Sequence, residues 1–190
     1  NKEYGLLPPK GVLSHVTVFE LPMYHKLLVV SDVAVIPYPD LSQKTAIVRY
    51  LTATAKVLGV ERPKIAAIAP SEQLLASVQS SVEAAVLAKM ADRGQLGDVV
   101  LDGPLALDVA LFEEVARTKH LSSPVAGDAD CLLMPNLDAA NVFFKSANHL
   151  CNASLAAMVA GTKAPCVLTS RGDSAESKLY SIALAALSAK

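Results

Sequence analysis

The sequence predicts an α/β domain with a largely parallel sheet and helices on both faces. Three observations lead there. Short β-rich runs alternate with helical runs along the whole chain, the pattern that builds parallel sheets from strand–helix–strand units. The helical runs carry their own start and stop residues. Finally, 52% of the 190 residues are hydrophobic. A chain of this size can bury roughly 70% of the surface its unfolded form exposes, without disulfide or metal staples.

Val12 to Leu21 (VLSHVTVFEL) alternates in part, as a half-buried strand does. Leu27–Val30 and Val33–Ile36 offer a hairpin-like return. In PYPDLSQKTAIVRYLTATAKVLG, Asp40 followed by Gln43 is a capping-box pattern. Ile47, Leu51, Ala55 and Leu58 form one helical stripe there, and Gly59 supplies the stop. Lys64–Ala69 (KIAAIA) reads as a short buried strand. Ser80 with Glu83 is a second capping box, behind which Val82, Val86 and Met90 recur every fourth residue as far as Gly94. Asp98–Leu101 is a further strand. Pro104 suits the first position of a helix, where its missing N–H costs nothing, with Leu107, Leu111 and Val115 as the buried stripe. Asp130–Met134 is a strand, and Ala139–Cys151 a helix with Phe143, Ala147 and Leu150 on one face. Leu155–Ala160 and Pro165–Leu168 are strands. Asp173 with Glu176 is a third capping box, opening a last helix whose Leu179, Ile182, Ala183 and Ala186 are expected to face inward. Crossovers between the parallel strands should be right-handed. No internal repeat, low-complexity tract or long linker divides residues 1–190.

Composition excludes several functions. Seventeen basic residues against eighteen acidic ones give a net charge of -1 and no electrostatic footprint for nucleic acid or an anionic membrane. With no Trp and 5% aromatics, base-stacking platforms are not expected. The three cysteines (Cys131, Cys151 and Cys166) are widely spaced among apolar neighbours and read as reduced core thiols, which places the chain in a reducing cytoplasm. Asn1-Lys2-Glu3-Tyr4 leads into Gly and Pro rather than an apolar leader, and Gly161, Lys163 and Pro165 interrupt the longest apolar stretches, so no membrane partner is expected. Residue 1 is Asn rather than Met, so the chain is expected to be processed, trimmed or a fragment.

Ligands of open α/β sheets sit beyond the carboxyl ends of the strands. Three polar turns fall at such places: Asp102–Pro104, Pro135–Asp138 and Thr169–Ser174. The last is the richest. A helix N-terminus offers free N–H groups to an anion. Arg171 can grip phosphate with two parallel hydrogen bonds. Gly172 lets the backbone approach closely, and Ser170 can donate to a phosphoryl or carbonyl oxygen. A plainer reading stands beside it, in which Asp173 and Glu176 only cap the helix while Ser170 and Arg171 are solvated. Asn141 and Lys145 lie four apart, on one helical face, where they can reach a ligand together or serve as a structural Asn and a solvated Lys. His15, His25, His120 and His149 show no metal-ligand spacing, His149 reading instead as a packing residue near Cys151. The motifs of phosphate-loop ATPases, dinucleotide-binding folds and nucleophile-elbow hydrolases do not occur.

Seven segments together resemble one family: SHVTVFELP at 14–22, QKTAIVR at 43–49, AVLAKMADRG at 85–94, DGPLALD at 102–108, SPVAGDAD at 123–130, PNLDAANVFFK at 135–145 and LTSRGDSAESKLYSIALA at 168–185. They look like the phosphate acetyl/butyryltransferases, the butyryl branch more closely. The resemblance implies a fold like that of the isocitrate and isopropylmalate dehydrogenases, with two α/β lobes and a cleft between them. It implies transfer of a short acyl group, butyryl or similar, between coenzyme A and inorganic phosphate. Metal and cofactor are then absent, coenzyme A being a substrate, and the partners are butyryl-CoA or a similar acyl-CoA, phosphate, and further copies of the chain in a homodimer or larger homo-oligomer.

The family's Ser-Arg pair falls on Ser170 and Arg171. Asp173 or Glu176 is the local carboxylate for the thiol proton, the later family aspartate being replaced near Ser177. Asn141 and Lys145 are retained as substrate-binding residues, with Gly172 and Ser174 beside the pair. Asn136, Ala140 and Phe144 replace the family's Asp, Gly and Tyr. The likeness starts well inside the family domain, so residues 1–190 are expected to form the second lobe plus the carboxy-terminal part of the first. A chain lacking the family's first third has an alternative role, as a non-catalytic domain that senses acyl-CoA or acyl phosphate or serves assembly.

Overall fold

The computed structural model describes residues 5–8 and 11–189; the leader reading at Asn1–Tyr4 lies outside them. The strands are β1 (Ser14–Glu20), β2 (Leu28–Ser31), β3 (Lys64–Ile68), β4 (Val100–Leu105), β5 (Cys131–Leu133), β6 (Ser154–Ala160) and β7 (Cys166–Val167). The helices are α1 (Leu41–Val57), α2 (Gln79–Asp92), α3 (Leu107–Leu111), α4 (Glu113–Thr118), α5 (Leu137–His149) and α6 (Ala175–Ser188).

The seven strands form one sheet in the order β4-β3-β5-β2-β1-β6-β7. β2 to β5 run parallel, β1 is antiparallel to β2, β6 to β1 and β7 to β6, so five strands point one way and β1 and β7 the other. The sheet is mixed because its antiparallel half grows from the β1–β2 hairpin. Each face has its own core. Ile47, Leu51, Leu87 and Leu184, from α1, α2 and α6, cover one face. Val109, Ala116, Ala140 and Phe144, from α3, α4 and α5, cover the other.

Most elements lie where the sequence puts them, and α1 carries the expected Asp40–Gln43 capping box. Several details differ. Val33–Ile36 is not a strand. The buried Asp32 carboxylate accepts the N–H groups of Ala34, Val35 and Ile36 at 2.8–3.1 Å, bending the chain around itself, and the Ser14 hydroxyl donates to it as well. Pro104 does not open a helix but sits inside β4. There a Cβ on Gly103 would lie 2.8 Å from the Ala67 carbonyl oxygen, so the close approach of β3 to β4 requires glycine. The predicted helix over 107–115 is broken at Phe112 into α3 and α4. α2 starts at Gln79 from an N-cap without a side-chain bond, so the Ser80–Glu83 box is not formed. Its buried residues are Ser81, Ala84 and Leu87, and Val82 and Val86 are exposed. In α5 it is Phe144, not Phe143, that is buried, although both rings meet Phe19 edge-on, and Leu150 is exposed. Cys131 is a core thiol, but Cys151 is exposed and Cys166 half-buried; His149 is exposed and packs nothing away.

α6 differs most. Leu179, Ile182, Ala183 and Ala186 face solvent, and Ser177, Ser181, Leu184 and Ala185 face inward. β7 is two residues long and leaves the rest of the β6 edge unpaired. α6 covers that edge. Ser181 accepts the Ala157 N–H at 2.9 Å and donates to the Ser177 carbonyl at 2.6 Å. Polar groups therefore point inward because an open strand edge needs acceptors.

At the amino ends of the central strands β2, β3 and β5, Asp128 accepts from His25, Lys26 and Lys64 at 2.6–2.9 Å. Among the described residues no helix is long and apolar enough to cross a membrane.

Candidate active site

The turn between β7 and α6 closes on itself. The Ser170 N–H donates to Asp173 Oδ2 at 2.7 Å, and the Asp173 N–H returns to the Ser170 carbonyl at 3.1 Å. Asn148 Nδ2 reaches the other carboxylate oxygen at 3.5 Å. Asp173 is thereby buried as the clasp of the turn. It does not cap α6. The N-cap is Ser174, whose hydroxyl accepts the Ser177 N–H at 3.0 Å. The Asp173–Glu176 capping box is thus replaced by Ser174 and Ser177. Glu176 is exposed and accepts the Tyr180 hydroxyl at 2.7 Å.

A cavity of about 260 Å³ lies against this turn, lined by residues that include His15, Asn141, Phe144, Lys145, Ser170 and Asp173. α5 brings in Asn141 and Lys145 on one face, as their spacing predicts. Asn141 Nδ2 donates to the Val33 carbonyl at 3.1 Å, fixing α5 to the loop after β2. Lys145 Nζ donates to Ser170 Oγ at 3.4 Å and stands 4.8 Å above the Phe144 ring, a cation held between a hydroxyl and an aromatic face. Four of the predicted site residues, Asn141, Lys145, Ser170 and Asp173, therefore share one cavity. Arg171, Gly172, Ser174 and Glu176 lie outside its lining. Arg171 is exposed at the turn, and its guanidinium makes no hydrogen bond or ion pair among the described residues.

The cavity also holds residues the sequence did not single out. His15 is buried on β1, and its Nε2 lies 3.0 Å from the Leu168 carbonyl. Burial lowers the His15 pKa from its ordinary value, against the opposing pull of the Leu168 carbonyl and of the Asp32 and Asp173 charges. The available signal was Ser14-His15-Val16-Thr17, three polar residues in a strand that is buried on both faces; such groups are kept only where they are bonded.

A second cavity, of about 500 Å³, opens beyond the carboxyl ends of β3 and β5. The Pro135–Asp138 turn reaches it through Pro135 and Asn136, and the paired Lys44 and Glu83 line its wall. Asp102–Pro104, read from the sequence as a third polar turn, lies inside β4 and reaches neither cavity. Among the described residues no cluster of three or more His, Cys, Asp or Glu side chains has the geometry to hold a metal ion.

Comparison with known proteins gives the family. A family profile described as Phosphate acetyl/butaryl transferase matches residues 5–186. The phosphate butyryltransferase of Clostridium acetobutylicum is 47% identical over 187 residues, covering 98% of this chain and 62% of the relative. The phosphate acetyltransferase of Thermotoga maritima is 41% identical over 187 residues, covering 98% and 63%. The crystal structure of a branched-chain phosphotransacylase from Enterococcus faecalis V583 superposes with a TM-score of 0.87 at 36% identity, over 96% of this chain and 65% of that one. The chain thus spans less than two thirds of the length of these relatives. On the extent of the profile match and the identity over nearly its whole length, the chain belongs to the phosphate acetyl/butyryl transferase family.

Proposed function

We propose that the chain forms the larger part of an acyltransferase that moves a short acyl group, butyryl or similar, between coenzyme A and inorganic phosphate. The observation that carries this reading is the Lys145 ammonium donating to the Ser170 hydroxyl on a cavity wall, one residue from Arg171. The relatedness to a phosphate butyryltransferase supports the same chemistry. Lys145 and Arg171 supply the charge that holds phosphate or acyl phosphate, and the opening N–H groups of α6 add to it. A coenzyme A thiol gives its proton to a carboxylate, Asp173 or Glu176. Asp173 is the one on the cavity, and its present bonds to Ser170 and Asn148 hold it in place. The thiolate sulfur then bonds the acyl carbon as the carbon–oxygen bond to phosphate breaks, and the pair leaves on phosphate. Ser170, polarised by Lys145, donates to the carbonyl oxygen as charge develops on it. The reverse reaction runs through the same contacts. With free thiols near pKa 8.5, a positioned base contributes roughly 10²–10⁴ in rate at neutral pH.

The same reading includes a two-lobed, dehydrogenase-like architecture in which these residues supply the second lobe and the end of the first. It also includes a homo-oligomeric assembly in the cytoplasm.

The test is thiol release from butyryl-CoA on addition of phosphate, measured on this chain and on a version extended to the length of the relatives. Lys145→Met and Arg171→Ala should each lower kcat/KM at least about tenfold, or about 1.4 kcal/mol. Acyl-CoA binding without phosphate-dependent release in either version would replace this reading with that of a sensing domain.

A further inference from the structure

The turn that carries Ser170 and Arg171 has little sheet to hold it. β7 stops at Val167, and Leu168, Thr169 and Ser170 continue outside any strand. The first tie beyond the strand comes from the middle of the sheet. His15, only 4% exposed on β1, meets the Leu168 carbonyl across 153 residues of sequence. A carbonyl only accepts, so Nε2 carries the ring proton. Nδ1 is then bare and faces the Thr17 hydroxyl at 3.4 Å. This tautomer is set by the two partners, and burial favours the neutral ring. Two residues beyond Leu168 the Ser170–Asp173 clasp begins, and Lys145 meets Ser170 from α5. His15, Leu168, Ser170, Asp173 and Lys145 all line the one cavity.

We propose that His15 is a positioning residue: by donating its Nε2–H to the Leu168 carbonyl, it fixes where the Ser170–Arg171 turn sits against the cavity. Its consequence for catalysis rests on the acyl-transfer reading above; the positioning itself does not. His15→Leu keeps bulk in the strand and removes the donor. His15→Gln removes the imidazole but offers a side-chain amide N–H at similar reach, so it restores the bond.

Amide hydrogen exchange of the 190-residue chain, followed by NMR, tests the positioning directly. In His15→Leu the Ser170 amide should exchange at least about tenfold faster than in the wild type, and in His15→Gln within about threefold of it, while the Val16 and Val18 amides of β1 stay protected. Unchanged protection of Ser170 in His15→Leu, or equal loss in His15→Gln, overturns the proposal. If His15→Leu does not fold, His15→Gln decides alone: Ser170 protection retained supports it, protection lost overturns it. In the extended version, kcat for phosphate-dependent thiol release should fall at least about tenfold in His15→Leu with KM little changed, and recover in His15→Gln. A wild type without turnover would refute acyl transfer, and the exchange result would still decide the role of His15.

Discussion

Removing one hydroxyl, in Ser181→Ala, tests how α6 is held. Ser181 is fully buried and bridges two elements. Its oxygen accepts the Ala157 N–H from the open edge of β6, and its hydrogen goes to the Ser177 carbonyl one turn back. The second bond is expendable, because the Ser177 carbonyl still receives the backbone N–H of residue 181 within the helix. The first is not. Without the hydroxyl, a buried backbone N–H loses its acceptor, at a cost of about 1–3 kcal/mol. Alanine returns up to about 0.5 kcal/mol through helix propensity. A net loss of about 1.5 kcal/mol lowers Tm by roughly 3–6 °C in a domain of this size. Thermal and urea melts followed by circular dichroism measure it. Ser188→Ala is the internal control, since it removes the same kind of hydroxyl bond, to the Leu184 carbonyl, with no strand N–H behind it. That variant should stay within about 0.5 kcal/mol of the wild type. A Ser181→Ala loss no larger than that of Ser188→Ala would refute the claim that the hydroxyl substitutes for a strand partner.

The Lys44–Glu83 pair is buried on the lysine side and half-buried on the glutamate side, at 6% and 14% side-chain exposure. Lys44→Met removes the charge partner of a carboxylate that keeps the Gln79 side-chain amide as a donor, and should cost about 1–3 kcal/mol in urea unfolding, with most of it recovered in Lys44→Met/Glu83→Leu. Partial burial alone would raise the Asp128 pKa, but bonds from Lys26, Lys64 and His25 outweigh it and hold the carboxyl well below the usual range. A depressed carboxylate stabilises the fold above its ordinary pKa near 3.8, and that contribution is lost as pH falls below it. Asp128→Asn should therefore flatten the acid limb of stability below about pH 4. Because Asp128 is 43% exposed, the effect should shrink in salt. His15 is also depressed, so its contribution is present above 6.5 and is lost as pH falls through its lower folded value. Asp32 and Asp173 face it from the flanking loops and Lys145 shares its cavity from α5; urea midpoints of His15→Gln should lose the wild-type slope in that window.

The sequence made the α/β class, the order of the elements and one capping box legible because each is a local property. Asp40 and Gln43 cap α1 with no help from the rest of the chain. The antiparallel half of the sheet was not legible, since Val12–Leu21 carries the same alternation whichever way its neighbours run. Nor was the bend at Asp32, where one carboxylate takes three N–H groups that a strand reading had assigned to a ladder. At the site, the spacing of Asn141 and Lys145 put both on one face, and the polar knot after β7 marked the turn. His15 escaped notice because a lone histidine in a strand has no pattern. Its importance comes from Leu168, which only folding brings near.

The inversion of α6 follows from the same physics and reaches further. The stripe predicted to face inward, Leu179, Ile182, Ala183 and Ala186, is exposed throughout, Leu179 at 63% and Ile182 at 59%, and Leu187 beside it is 59% exposed as well. The helix turns it outward because the β6 edge takes the hydroxyl face instead. Beside it, Leu27, Leu58, Leu155 and Leu184 line an apolar groove continuous with Tyr180 and Leu187. A helix that gives its serines to a strand edge cannot turn its leucines to the same side, so the apolar stripe is left on the opposite, solvent face.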